Sequence, residues 1–283
     1  MNYQWYPGHM TKAMRMMQED IKLIDLVIEI IDARIPIASR NPDIDKLSNN
    51  KSRLILMNKS DLADRNINES WKKYFEDKGY VCLLIDSKKS VGFKDIKNAV
   101  NKACSEKIER DRKKGIINRP LRALVCGIPN VGKSTFINSY AKKACTKTGN
   151  KPGVTKGKQW IRLDKTLELL DTPGVLWPKF EDQKVGLHLA MTGSINDEIL
   201  HSDELCYDLL NYMNANYKGR IEERYGVESN DDAIALLSDI AIKRGCLVKG
   251  GDADIDKAAK LVIEDFRSGK LGNISVERPE DYV

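Results

Sequence analysis

Gly127-Ile128-Pro129-Asn130-Val131-Gly132-Lys133-Ser134 is the stretch from which the rest of this 283-residue chain is read. It follows the short apolar segment Leu121–Cys126 and precedes Thr135-Phe136-Ile137-Asn138. A buried strand, a glycine-containing turn and the first turn of a helix thus arrive in the order that a phosphate-binding loop requires. Glycine at 127 and 132 allows backbone conformations that a side chain would block. Successive N–H groups, from Asn130 through Val131, Gly132, Lys133 and Ser134 to Thr135, can then point at phosphate oxygens beside the positive end of a helix. Lys133 is expected to place a point charge on the β- and γ-phosphates, and the Ser134 hydroxyl to hold Mg²⁺.

Working outward, three upstream apolar runs each end in a polar motif. Leu26-Val27-Ile28-Glu29-Ile30-Ile31 leads into Asp32-Ala33-Arg34-Ile35-Pro36. Residues 54–57 lead into Asn58-Lys59-Ser60-Asp61, and residues 81–85 into Asp86-Ser87-Lys88-Lys89. Helical stretches are expected near 69–78 and 93–110. Downstream, residues 159–163 and 166–170 read as two strands joined by a turn at Asp164-Lys165, the second ending in Asp171-Thr172-Pro173-Gly174. Strands alternating with helices specify a parallel sheet covered on both faces, with ligands at the carboxyl edge where these motifs lie.

At the N-terminus, Met10, Ala13, Met14, Met17, Ile21 and Ile24 predict an amphipathic helix over 10–24. Trp5-Tyr6-Pro7-Gly8-His9 is expected to stay outside regular structure. Beyond Trp177-Pro178 only helical spacing remains: Cys206, Leu209, Leu210, Met213; Ala233, Leu236, Leu237, Ile240; Ala259, Val262, Ile263, Phe266. The boundary is placed near residue 180, giving an α/β domain over 1–180 and an all-α domain over 181–283.

Hydrophobic content of 41% and charged content of 31% suit a globular protein, and no stretch is apolar for long enough to span a bilayer. The N-terminus lacks a secretory signal, so a cytoplasmic protein without a membrane partner is expected. Six scattered cysteines with no C-x-x-C pair read as reduced packing residues. The net charge of +6 permits a polyanionic partner, and residues 141–163 hold seven basic side chains and no acidic one.

Together the motifs describe a guanine nucleotide site. The Asp61 carboxylate can accept from the guanine ring N–H and its exocyclic amine, a donor pair that adenine lacks. Asn58 is expected to bridge to the phosphate loop, and the Lys59 stem to lie along the ring. Asp171 would orient Mg²⁺ and the Gly174 N–H would meet the γ-phosphate. Thr155 is the candidate for the second Mg²⁺ hydroxyl, with Thr146 and Thr148 as competitors.

The order of the motifs is unusual, because the base-reading residues precede the phosphate loop. W-Y-P-G-H-M at 5–10, D-A-R-I-P at 32–36, R-N-P at 40–42, N-K-S-D, G-I-P-N-V-G-K-S, P-G-V-T-K at 152–156 and D-T-P-G resemble the YlqF/RbgA family of circularly permuted ribosome-assembly GTPases. The resemblance implies a P-loop NTPase fold with motif order G4-G5-G1-G2-G3 and an α-helical C-terminal domain that binds RNA or the ribosome. It implies a monomer hydrolysing GTP to GDP and phosphate during maturation of the large ribosomal subunit, with rRNA and ribosomal proteins as partners. Asp86-Ser87-Lys88 stands where the family has Ser-Ala-Lys, so Ser87 or Lys88 would contact the base oxygen. Val175 occupies the place of the water-orienting glutamine of many GTPases. Two substitutes are open: His9 as the water-orienting group, and Asn130 as ligand of a K⁺ that neutralises charge alongside Lys133. Val175 also leaves open a nucleotide-dependent protein-binding switch with little turnover. A metabolic kinase is disfavoured by N-K-S-D.

Overall fold

The computed structural model describes residues 8–116, 119–148, 160–163, 165–195 and 201–282, excepting the side chains of residues 9 and 143–148. Strands β1 (Leu26–Asp32), β2 (Ser52–Asn58), β3 (Val81–Leu84), β4 (Leu121–Cys126), β5 (Trp160–Arg162) and β6 (Leu167–Asp171) form one sheet in the order β3-β2-β1-β4-β6-β5. All neighbours are parallel except β5, which runs antiparallel to β6 and makes the sheet mixed at that edge. The central strand β1 is buried at every position, as its continuous apolar run requires when helices cover both faces.

Register brings the motifs level. Asp32 pairs with Asn58, and Val125 with Asp171, so the polar residues that end these strands lie along one edge. From β1 the chain moves outward to β2, whereas from β4 it moves to β6 on the other side. β1 and β4 are neighbours, so the crevice beyond their carboxyl ends is the topological switch point of the sheet.

The helices of this unit are α1 (Gly8–Asp20), α2 (Pro42–Leu47), α3 (Arg65–Asp77), α4 (Ile96–Ala103), α5 (Ser105–Lys113) and α6 (Lys133–Thr148). α3 starts where the Asp64 carboxylate accepts the Asn66 and Ile67 N–H groups, and it buries Trp71 and Phe75 against Ile31, Ile55 and Met57. α1 begins at Gly8 and gives way at Ile21 to a 3-10 turn, so His9 sits in a helical first turn and not in an irregular segment. A preceding proline is compatible with such a start. The helix expected over 93–110 breaks at Cys104 into α4 and α5, because the buried stripe of Ile96, Ala99 and Val100 ends there. α5 buries none of its residues.

Of the described residues, those within 8–179 and 277–282 form one compact unit and those within 180–276 another. The second contains α7 (Gln183–Met191), α8 (Ser202–Asn216), α9 (Arg220–Tyr225), α10 (Ala233–Arg244) and α11 (Ile255–Arg267). Its core includes Leu209, Met213, Leu237 and Val262, the faces set by helical spacing. The last residues depart from the helical stretch expected to run to 283. They rejoin the sheet unit, where the buried Glu277 carboxylate accepts the N–H groups of Ile37 (2.7 Å) and Ala38 (3.0 Å) and its carbonyl accepts from Trp71 Nε1 (3.1 Å). Among the described residues no helix is long and apolar enough to cross a membrane.

Candidate functional site

The Asn58 side chain closes one end of the crevice. Its amide donates to the Val131 carbonyl at 2.7 Å and its oxygen accepts the Ser87 N–H at 3.0 Å. Thus β2, the loop after β3 and the loop after β4 are tied by one buried group. Lys59, in the left-handed region at φ +59°, sends its ammonium to Asp32 Oδ2 at 2.8 Å. Asp32 is fully buried and also receives Arg34 Nε (3.0 Å), a terminal Arg34 nitrogen (2.8 Å) and the Arg34 N–H (3.0 Å). Burial pushes the Asp32 pKa up, but Arg34 and Lys59 more than offset it, and the carboxyl stays ionised. Burial pulls the Lys59 pKa down, with Asp32 opposing. Asp61 is exposed at the rim.

The loop after β3 carries unmet hydrogen-bonding capacity. Ser87 Oγ and Asp86 Oδ2 are buried and have no hydrogen-bond partner among the described residues. The Ser87 N–H is taken by Asn58 and the Lys88 N–H by Asp86 Oδ1 at 2.9 Å. The Ser87 hydroxyl and Asp86 Oδ2 are therefore the orphaned groups of this loop, while Asp86 Oδ1 is occupied.

The loop after β4 is a backbone cradle that side chains would fill. A Cβ at Gly127 would collide with the Ile30 carbonyl, and one at Gly132 (φ +95°) with the Asn58 amide. Asn130 takes φ +62°, a region asparagine tolerates better than most residues. Lys133 is only 7% exposed, and its ammonium donates to the Ile128 carbonyl at 3.0 Å. Burial pulls its pKa down to about 8, with Asp171 opposing. Ser134 and Thr135 are exposed in the first turn of α6.

The segment after β6 folds onto this cradle. Thr172 Oγ1 donates to the Val125 carbonyl at 2.7 Å and the Val175 N–H to the Gly127 carbonyl at 3.3 Å. A Cβ on Gly174 would stand 2.8 Å from both Lys133 Nζ and the Pro129 nitrogen. Burial raises the Asp171 pKa against the opposing charge of Lys133. A hydroxyl (Ser134) and a carboxylate (Asp171) flanking a phosphate cradle suit Mg²⁺, which takes few protein ligands and completes its shell with phosphate and water. Among the described residues no cluster of three His, Cys, Asp or Glu competes as a metal site.

Thr155 lies outside the described residues, as do the side chains of Thr146, Thr148 and His9 and most of the basic run 141–163. Three residues at or near the site carried no role in the sequence reading. Asp32 pins Lys59, and Asn41 Nδ2 donates to the Val175 carbonyl at 3.0 Å. Glu277 holds the loop that joins these two. D-A-R-I-P and R-N-P were the visible signals for the first pair. Nothing marked the third.

A family model described as 50S ribosome-binding GTPase matches residues 122–237. Ribosome biogenesis GTPase A of Bacillus cereus is 48% identical over 280 residues, covering 99% of this chain and 95% of that protein. The chain belongs to the ribosome biogenesis GTPase A family. Its fold is that of the YlqF structures. GDP-bound YlqF aligns with a TM-score of 0.69 at 28% identity, covering 94% of this chain and all of that one. GNP-bound YlqF from Thermotoga maritima aligns with a TM-score of 0.67 at 29% identity, covering 95% and 99%. For this family member the permuted order is a matter of connectivity alone, since the motifs meet at one sheet edge whichever comes first in the chain.

Proposed function

We propose that this GTPase binds GTP with Mg²⁺ in the crevice beyond β1 and β4 and hydrolyses it to GDP and phosphate as a cytoplasmic monomer bound to a precursor of the large ribosomal subunit. The observation that carries the nucleotide site is the Asn58 bridge between the phosphate loop and the loop after β3. Support for the ribosomal partner comes from the matching 50S ribosome-binding family model and from the names of the relatives.

In this reading Asp61 accepts from the guanine ring N–H and amine, the Lys59 stem covers the ring, and Ser87 or Lys88 serves the base oxygen, the unpartnered Ser87 hydroxyl favouring the former. Lys133 and the N–H groups of residues 130–135 hold the phosphates. Ser134, Asp171 and Thr155 would hold Mg²⁺, which supplies charge neutralisation between the β- and γ-phosphates. The Gly174 N–H meets the γ-phosphate.

Val175 is buried and cannot orient water. The Leu176 N–H points at Met10 Sδ at 3.4 Å, which brings the first turn of α1 beside the segment that follows Gly174 and supports His9 as the water-orienting residue. Asn130 would bind K⁺ as a second source of positive charge.

GTP turnover measured with and without purified large-subunit precursors tests this reading. Stimulation by the particle is expected, and it falls in His9→Ala and in Asn130→Ala or when Na⁺ replaces K⁺. Preference for ATP in calorimetry overturns the site assignment. Tight GTP binding with no stimulated turnover favours the switch reading, for which the buried Val175 is the supporting feature.

A further inference from the structure

The rim of the sheet opposite the nucleotide motifs is basic. A cleft among the starts of β1 and β2 and helix α5 is lined by seven Lys and Arg side chains and two carboxylates, an excess of +5 where the whole chain carries +6. Both carboxylates are already neutralised within the cleft, Asp25 by Arg119 at 3.0 Å and Asp111 by Lys107 at 2.6 Å. Lys22, Arg110 and Lys114 are exposed and form no ion pair among the described residues. Their charge faces outward.

The basic surface continues across α5. A second cleft shares Asp111 and Arg119 with the first and adds Arg112, Arg162 and Lys165, the last beside the β5–β6 turn. Arg122, which lines the first cleft, lies over the half-buried Trp160 ring at 5.2 Å. A lone phosphate or a small phosphorylated ligand would occupy one cleft. Two clefts flanking a helix of nine residues, roughly 13 Å long, suit an anion with repeated charges. The long, solvated side chains form no fixed nest like the one at residues 127–134, as expected where backbone charge is read and base identity is not.

We propose that this rim docks an RNA phosphate backbone while nucleotide occupies the opposite edge. The choice of RNA among polyanions rests on the ribosome-assembly reading. The two edges are separated by the length of the strands, roughly 20 Å for seven residues, so the ligands do not compete for space.

The test uses the full-length protein, an RNA duplex of about 20 base pairs and purified large ribosomal subunits, each titrated across a range of KCl concentrations. R110E/K114E, and the neutral pair R110Q/K114Q as a milder control, change exposed side chains outside the nucleotide site. The expected result is binding of both probes weakened at least about tenfold by R110E/K114E and less by R110Q/K114Q. The slope of log affinity against log salt should become shallower by about 2, one for each phosphate that the variant leaves unneutralised. Affinity for fluorescent GDP should be unchanged. Wild-type affinity and slope in both variants overturn the proposal. Weakened binding to subunits with no change on naked duplex also overturns it and assigns the rim to an acidic protein. Failure of the wild-type protein to bind subunits while it binds duplex in the expected way counts against the ribosomal reading and leaves the RNA surface standing.

Discussion

The Asn58 side chain donates to the Val131 carbonyl at 2.7 Å across 73 positions of chain. This one bond joins the base-reading motif to the phosphate loop, and the same amide fixes the smallest residue allowed at 132. Asn58→Ala leaves a buried carbonyl and the Ser87 N–H without partners, at about 1–3 kcal/mol each. Fluorescent-nucleotide titration should show GDP and GTP affinity both falling by roughly 30-fold or more. Unchanged affinity would show that the two loops are positioned independently.

Lys133 is a buried ammonium whose pKa burial draws down to about 8 from an ordinary value of 10.5. The unfolded chain therefore holds a proton between pH 8 and 10.5 that the folded, nucleotide-free protein has lost. The resulting destabilisation is full below about pH 8, and it is relieved as pH rises toward 10.5. Lys133→Met should accordingly stabilise the nucleotide-free protein at pH 7, by up to roughly 3 kcal/mol, while abolishing GTP binding. Thermal melts at pH 7 and pH 10 check this: the gain in Tm should be largest at pH 7 and should shrink at pH 10. A loss of stability at pH 7 would mean that the bond to the Ile128 carbonyl outweighs the desolvation.

The strands, the two glycine-bearing turns and the placement of motifs at strand ends were legible because each has a local cause. Periodicity, β-branched runs and glycine at positions where a Cβ would collide are all written within a few residues. Edge strand β5 was legible as the first arm of the strand pair over 159–170, whereas the break at Cys104 was not, since the end of an apolar stripe is decided by packing partners. The same distinction holds in the site. Asn58 was assigned to the loop bridge from its motif, whereas the acceptor Asp32 and the donor Asn41 act through residues 27 and 134 positions away. Glu277 is hidden most completely, because its partners are backbone N–H groups, which any sequence possesses.

In the proposed site Asp32 reaches the nucleotide only through Lys59, so its effect should disappear when Lys59 is removed. Asp32→Asn preserves shape but presents an amide to the Lys59 ammonium. GDP affinity should fall by about tenfold, the scale of one charge-assisted hydrogen bond. In a Lys59→Met background the same substitution should change GDP affinity less than about twofold. Equal losses in the two backgrounds would instead trace the effect to Arg34, the other buried partner of Asp32.

Asn41 holds the residue after Gly174 from one side while Gly127 holds it from the other. The Asn41 oxygen also accepts the Asp43 N–H at 2.9 Å and caps α2, so the informative change is Asn41→Asp, which keeps the cap and loses the donor to Val175. The turn presenting the Gly174 N–H is then loosened. In the proposed site GTP makes a γ-phosphate contact there, and GDP has none to make. Affinity for a non-hydrolysable GTP analogue should therefore fall about tenfold while affinity for GDP stays within about twofold, the difference corresponding to one buried hydrogen bond. Parallel loss of both nucleotides would show that Asn41 supports the crevice as a whole, and a selective loss would make it the residue through which the D-T-P-G turn distinguishes triphosphate from diphosphate.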